Sequence, residues 1–309
     1  MGTIASCPRL ADKIEKRVKG KPRCVKVAKK KDRNHGATGM AEEGRIKTRV
    51  RAVLALFLFA VIGLCTQSLV SAEVITGGNY RISFSGSMTP AKLPRVGSQP
   101  ISVSVSGAVQ ELAGPPSPAL REFTVSINRH AHLSLRGLPI CPRRLLKGDS
   151  TSQALTHCRD ALVGSGHFTA HIDLPEQAPF PAAGRLLVFN SRYRGHRALL
   201  GHVYGSQPVP TALDMYFRLH WERKGPFGLT LTTTMPDVGE EWGYVTGFEV
   251  SLGRRYLLHG RLRSVLAAGC PAPAGFNSAP FKLARGVFRL ADGSTRSRVL
   301  SGVCHVAKD

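Results

Sequence analysis

The sequence predicts an all-β protein, an antiparallel β-sandwich with one short helix, preceded by an N-terminal signal helix. Apolar and polar residues alternate in stretches such as Tyr80–Phe84, Ile101–Val105 and Phe123–Ile127, as in strands that bury one face. Gly and Pro clusters such as Pro271–Gly275 separate these stretches and mark turns. A short apolar run near residue 58 follows several basic residues, which is typical of an export signal.

The same alternation predicts strands along the rest of the chain. A proline-rich stretch near residues 175–184 is either a boundary between two small β units or a long loop within one sandwich. We favour one domain, because the flanking strands are too few to close two separate cores. The further predicted strands are His167–Leu174, Arg185–Phe189, Ala198–Tyr204, Leu213–Trp221, Leu229–Thr234, Gly243–Leu252, Ser264–Ala268, Phe281–Leu290 and Ser297–Val306.

One helix interrupts the strands. Ser150 or Thr151 can cap a run that continues to Leu162, and Gly164 can end it. Such a helix would carry Cys158 back towards Cys141.

The signal segment is predicted over residues 40–72. Basic residues between 45 and 51 precede the uncharged run Ala52–Cys65, which is too short to cross a hydrocarbon core of about 30 Å. Val70-Ser71-Ala72 offers small residues for cleavage, so we expect the mature chain to begin at Glu73. The alternative is an uncleaved N-terminal anchor.

The predicted domain organisation has three parts. Residues 1–39 are basic and lack apolar periodicity, so we expect a disordered extension. Met40 stands where an ordinary signal peptide would begin, and our hypothesis is that translation starts there. The signal peptide occupies 40–72, and the β-sandwich domain occupies 73–309.

Four cysteines remain after cleavage: Cys141, Cys158, Cys270 and Cys304. An even number in an exported chain predicts two disulfides. Of the three possible pairings we favour Cys141 with Cys158 and Cys270 with Cys304, because each closes a moderate loop. Zinc ligation is the alternative, but the chain has no C-x-x-C motif.

The net charge of +23 indicates an anionic partner or a compositional bias. Much of the excess lies before residue 73, and the remainder is mostly arginine. A basic surface would suit anionic wall polymer or lipid headgroups. The competing interpretation is a GC-rich genome, which favours arginine codons. The basic residues are scattered through the predicted strands and form no platform with interleaved aromatic residues, so we predict no nucleic-acid partner.

Motifs of catalysis are missing from the sequence. It contains no G-x-S-x-G, H-E-x-x-H or P-loop motif. His130 with His132, and His167 with His171, would share a strand face and could bind a metal, but solvent-facing histidines give the same pattern. We predict no catalytic residue, cofactor or metal site. The carboxylates considered are Asp173, Glu176, Asp214, Glu222, Asp237, Glu240, Glu241 and Glu249.

Several stretches carry a resemblance to a group of uncharacterised exported proteins from high-GC actinobacteria. They include Tyr80–Gly86, Gly137–Cys141, Cys158–Gly166, Gly184–Asn190 and Ala268–Pro273. The likeness covers most of residues 73–305, including the four cysteines. The resemblance implies export and two disulfides, and it supplies no activity or ligand.

These observations predict an exported, non-catalytic binding or structural protein of the cell envelope, secreted or retained outside the cytoplasm. The alternative is an extracellular hydrolase whose site no motif reveals. The predicted partners are anionic wall polymer or lipid headgroups, and the only membrane attachment that we expect is through the signal segment, if it is not cleaved.

Overall fold

The computed structural model describes residues 68–112, 119–172, 178, 180–206, 210–235 and 243–307. It confirms the all-β fold with a single short helix. The predicted signal helix and the extension 1–39 lie outside the described residues. The strands are β1 (Leu69–Gly77), β2 (Tyr80–Thr89), β3 (Lys92–Leu93), β4 (Gln99–Pro100), β5 (Ser102–Glu111), β6 (Leu120–Asn128), β7 (Ala131–Leu133), β8 (Leu162–Ile172), β9 (Phe180–Tyr193), β10 (His196–Gly205), β11 (Thr211–Trp221), β12 (Phe227–Thr234), β13 (Gly243–Leu252), β14 (Arg255–Leu258), β15 (Arg261–Ser264), β16 (Leu266–Ala268), β17 (Ser278–Leu290) and β18 (Thr295–Val306).

Thirteen of these strands form one large sheet in the order β1-β2-β5-β13-β8-β9-β10-β11-β12-β6-β17-β18-β3. Its pairs are antiparallel except β18 with β3, which are parallel. The sheet curls until β1 reaches β18, where the backbone N–H of Ser301 donates to Ser71 Oγ at 3.2 Å. The predicted sandwich therefore takes the form of one curled sheet whose halves face each other.

Aromatic side chains fill part of the space between the two halves. Phe84 on β2 meets Phe123 on β6 and Phe288 on β17, with ring centroids 6.2 and 5.8 Å apart. Phe123 also lies 4.6 Å from Phe248 on β13. These rings come from strands that alternate apolar and polar residues in sequence. Because alternate residues share a face of the sheet, the apolar ones point into the core.

The helix α1 (Thr151–Cys158) begins where the sequence predicts. Ser150 caps it in a capping box, with the Gln153 N–H donating to Ser150 Oγ and the Ser150 N–H donating to Gln153 Oε1. The prediction that the helix continues to Leu162 is wrong. A 3₁₀ turn covers Arg159–Ala161, and Leu162 already begins β8 because it pairs with Phe189 of β9.

Strand β1 starts four residues before the predicted mature N-terminus. Leu69 is buried and pairs with Met88 of β2. Cleavage after Ala72 would remove the part of β1 from Leu69 to Ala72, including the Ser71 hydroxyl that accepts from β18.

A segment that we call the disulfide flap (Cys141–Ala161) covers the outer face of β9 and β10. It buries Leu146 and Ala154 against Leu187, Phe189 and Leu200, forming a small second core outside the sheet.

Candidate functional site

Both predicted disulfides are present. The Cys141–Cys158 pair has a Cα–Cα distance of 5.6 Å, and the Cys270–Cys304 pair has a Cα–Cα distance of 5.8 Å. The first closes the disulfide flap on itself. The second joins the segment after β16 to the last strand, β18. All four cysteines are buried, as structural disulfides require.

Positive charge is concentrated at one end of the curled sheet, which we call the basic end. The turns β9–β10 and β11–β12, the residues after β6 and the hairpin β14–β15 all lie there. Only Asp160 and Glu222 supply negative charge at this end among the described residues. Its Lys and Arg residues are Lys92, Arg95, Arg129, Arg136, Arg159, Arg192, Arg194, Arg197, Arg223, Lys224, Arg254, Arg255, Arg261 and Arg263.

Most of these basic side chains are exposed. The two intermediate in exposure, Arg254 and Arg95, bind backbone carbonyls of neighbouring loops. Arg254 donates through Nη1 to the carbonyls of Arg159, Asp160 and Leu162. Arg95 donates to the carbonyls of Ala272, Pro273 and Phe276. These hydrogen bonds hold the guanidinium groups of Arg254 and Arg95 in fixed positions.

The opposite end of the sheet has a different composition. Among the described residues at that end, Glu111, Glu122 and Asp292 accompany Arg81, Arg121, Arg289, Arg296 and Arg298. The acidic share of the described charged residues is therefore higher at this end than at the basic end.

Exposed apolar side chains gather at the basic end as well. Leu257 and Leu262 on the hairpin β14–β15 are 73% and 61% exposed, and Trp221 at the end of β11 is 56% exposed. Val96, Ile140 and Phe276 are also exposed in loops at this end. Single exposed apolar residues are ordinary, whereas a contiguous group of them is typical of an interaction surface.

Beside the basic end, Glu222 accepts hydrogen bonds on the outer face of the sheet. Ser126 Oγ and Thr230 Oγ1 donate to Glu222 Oε1 at 3.0 and 2.8 Å, and Arg285 pairs with the same oxygen. Partial burial alone would raise the pKa of Glu222. The hydrogen bonds from Thr230 and Ser126 and the charge of Arg285 outweigh this effect, so the pKa lies below its ordinary value of 4.5.

A Glu222→Gln substitution tests this cluster. We expect the free energy of unfolding to fall by about 1–2 kcal/mol at neutral pH, since the pair is only partly shielded from solvent. A lowered folded pKa gives stability that is present above the unfolded pKa and lost as the pH falls through the folded pKa. Urea unfolding at pH 7 and in acid should therefore show a smaller acid loss for the variant. The exposed Glu249→Gln is the control, and equal stability of both variants would refute the role of Glu222.

His202 forms a buried pair with Asp214, one of the carboxylates considered from sequence. His202 Nδ1 lies 2.8 Å from Asp214 Oδ1, and His202 Nε2 lies 3.1 Å from the Asp149 carbonyl. The ring is completely buried. Both ring nitrogens therefore face an oxygen within hydrogen-bond distance. With both nitrogens engaged and the ring buried, the pair is suited to holding the flap in place.

The other histidines and carboxylates considered from sequence do not converge. No group of three or more His, Cys, Asp or Glu that could hold a metal occurs among the described residues. His130 lies in the turn after β6, where partial burial and the charges of Arg129 and His132 lower its pKa. His167 and His171 lie on β8, and Glu249 pairs in register with His167. Asp173, Glu176, Asp237, Glu240 and Glu241 lie outside the described residues.

An apolar cavity of about 90 Å³ lies inside the curled sheet. Met88, Phe168, Met215 and Phe217 are among its lining residues. A dry engineered cavity of about 150 Å³ holds one benzene molecule. The cavity is therefore too small for an acyl chain, and we treat it as a packing defect of the core.

Comparison of the chain with models of protein families, with curated proteins and with solved structures gives no match. Among the described residues, no helix is long and apolar enough to cross a membrane.

Proposed function

We propose that this protein is an exported, non-catalytic protein of the cell envelope that binds an anionic surface through its basic end. The observation that carries the proposal is the segregation of charge: more than half of the described Lys and Arg residues lie at one end, beside two of the described acids. A clustered basic surface attracts phosphate and carboxylate groups far more strongly than scattered charges do.

The two disulfides support the extracytoplasmic part of the proposal, because such bonds persist in oxidising compartments. The signal peptide predicted from sequence supports it independently. The engagement of Asp214 with His202 and of Glu222 with Arg285 favours structural roles for these carboxylates. This supports binding rather than hydrolysis.

Vesicle binding tests the proposal. The mature protein, with its disulfides intact, is mixed with vesicles containing phosphatidylglycerol, with vesicles of phosphatidylcholine alone and with soluble anionic wall polymer. We expect binding to the anionic vesicles or polymer at low salt and release at about 1 M salt, where the screening length is about 3 Å.

The two anionic probes separate the sources of the negative charge. Binding to polymer alone would make the wall the partner, and binding to vesicles would make lipid headgroups the partner. Equal binding to neutral and anionic vesicles, unaffected by salt, would refute the proposal, as would no binding to any anionic probe.

A further inference from the structure

The hairpin β14–β15 stands apart from the large sheet and has one fixed face. Its strands pair with each other alone, from Arg255 opposite Ser264 to Leu258 opposite Arg261. A two-residue turn, His259-Gly260, joins them with φ of 50° and 72°. Positive φ at both positions is typical of a type I′ turn, which gives a tight, twisted hairpin.

The inner face of the hairpin is attached to the loop after β7. Tyr256 Oη donates to the Arg136 carbonyl at 2.7 Å. Leu258 packs so closely over Gly137 that a Cβ there would lie 2.4 Å from Leu258 Cδ1. Gly137 also has a φ of 82°. Both the close contact with Leu258 and this positive φ therefore require glycine at position 137. The orientation of the hairpin on the basic end is therefore fixed.

The outer face presents two leucines directly opposite each other. Leu257 pairs in register with Leu262, and these two side chains have the exposures given above, 73% and 61%. The exposed Arg255 shares this face, and the exposed Arg261 and Arg263 flank Leu262 from the opposite face, in register with Leu258 and Tyr256. An exposed apolar pair among arginines is a poor match for a hydrated polymer, because leucine gains free energy only where water is removed.

We propose that this hairpin inserts Leu257 and Leu262 into the surface of an anionic lipid bilayer, while the flanking arginines bind lipid phosphates. This inference rests on the proposed function and names a bilayer as the anionic partner. Interfacial segments sink about 5–10 Å into the boundary between headgroups and acyl chains. Strands of four residues span roughly 13 Å at about 3.3 Å per residue, which is sufficient for that depth.

Two exposed aromatic residues at the basic end also suit a bilayer surface. Trp221 and Phe276 lie at the end of β11 and before β17, near basic turns. Tryptophan is enriched at membrane interfaces, where its ring sits at the headgroup level. Each basic residue near an anionic leaflet adds about 1 kcal/mol of attraction, so charge brings the protein to the surface and leucine insertion holds it there.

The double variant Leu257→Ser/Leu262→Ser tests the inference. We expect its affinity for phosphatidylglycerol vesicles to fall by about a hundredfold, from loss of apolar burial, with its binding to soluble anionic polymer unchanged. The matched control is Val74→Ser/Val303→Ser, which removes exposed apolar side chains from strands of the large sheet. We expect the control to bind vesicles like the wild type.

A fluorescence measurement locates the hairpin. In a Trp221→Phe/Trp242→Phe background, Leu262→Trp is expected to shift its emission to the blue with anionic vesicles and to be quenched by brominated acyl chains. Unchanged vesicle affinity of the serine variant, or no quenching in bound protein, would overturn the hairpin inference and leave the proposed function standing. Absence of binding to every anionic probe would overturn both.

Discussion

An Asp214→Ala substitution is expected to lower the free energy of unfolding by about 3 kcal/mol, because it leaves His202 buried without its acidic partner. The imidazole has no exposed surface, and its Nδ1 would lose its acceptor. The disulfide flap would be loosened at the same time, since His202 Nε2 faces the carbonyl of Asp149 within it. Urea unfolding followed by circular dichroism measures the first effect.

Limited trypsin digestion measures the second effect. Arg143, Arg144 and Lys147 are exposed on the flap, and we expect cleavage there to be faster in the variant. For the urea measurement, the control is Arg143→Ala, which removes the exposed partner of Asp214 and should change stability by less than about 1 kcal/mol. Apolar replacement of both partners, His202→Leu/Asp214→Leu, should be more stable than Asp214→Ala. If Asp214→Ala were as stable as the wild type, the role of Asp214 in supporting His202 and the flap would be contradicted.

Removing the Cys270–Cys304 disulfide by a double alanine substitution is expected to cost about 4 kcal/mol of unfolding free energy. The bridge spans a sequence separation of 34, and loop-closure entropy in the unfolded chain sets the scale. It also ties β18 to the loop that follows β16, near the parallel pairing of β18 with β3. The exposure of Val303 and the burial of Leu300 on β18 are expected to change when this tie is lost.

The Cys141–Cys158 bridge gives a matched comparison, because its separation is 17. Its removal is expected to cost about 0.6 kcal/mol less from loop length alone, with the damage confined to the flap. Calorimetry and urea unfolding of the two double alanine variants measure the difference. A larger loss for the Cys141–Cys158 variant would show that flap packing outweighs chain entropy.

The strands could be predicted largely from sequence, because burial of one face imposes a period of two that is visible in residues such as Tyr80 to Phe84. The sequence also predicts Ser150 as a capping residue and favours the disulfide pairing that the structure shows. The helix end is not predicted correctly, because tertiary pairing of Leu162 with Phe189 overrides the local helical pattern. The hairpin β14–β15 is not predicted from the sequence, because Arg255, Leu257 and Leu262 do not show the alternation of apolar and polar residues of a half-buried strand.

The basic end could not be predicted from the sequence. Arg194, Arg223 and Arg261 lie in separate turns, each unremarkable by itself. Which end of the sheet a turn faces depends on strand order, and β13 inserts between β5 and β8 although it follows them by many residues. Only that order brings the hairpin after β13 to the same end as the turns β9–β10 and β11–β12.

Because the location of each turn depends on strand order, the net charge alone could not distinguish an anionic partner from a compositional bias. A compositional bias towards arginine would place basic residues throughout the surface, including the outer faces of the strands. The structure instead places 14 of the 26 described Lys and Arg residues at one end of the sheet. The hydroxyl pairs Ser85–Ser106 and Ser104–Ser251 occupy part of the outer face. Segregation of charge is therefore the property that a functional account has to explain.

The measurement that tests this account most directly compares two triple variants with the same change in charge. Arg255→Gln/Arg261→Gln/Arg263→Gln alters the basic end, and Arg289→Gln/Arg296→Gln/Arg298→Gln alters the opposite end, around the turn between β17 and β18. Binding to phosphatidylglycerol vesicles is measured at low salt. We predict a loss of roughly a hundredfold for the first, at about 1 kcal/mol per charge, and less than about threefold for the second. Equal losses in both variants, or none in the first, would contradict the role of the basic end.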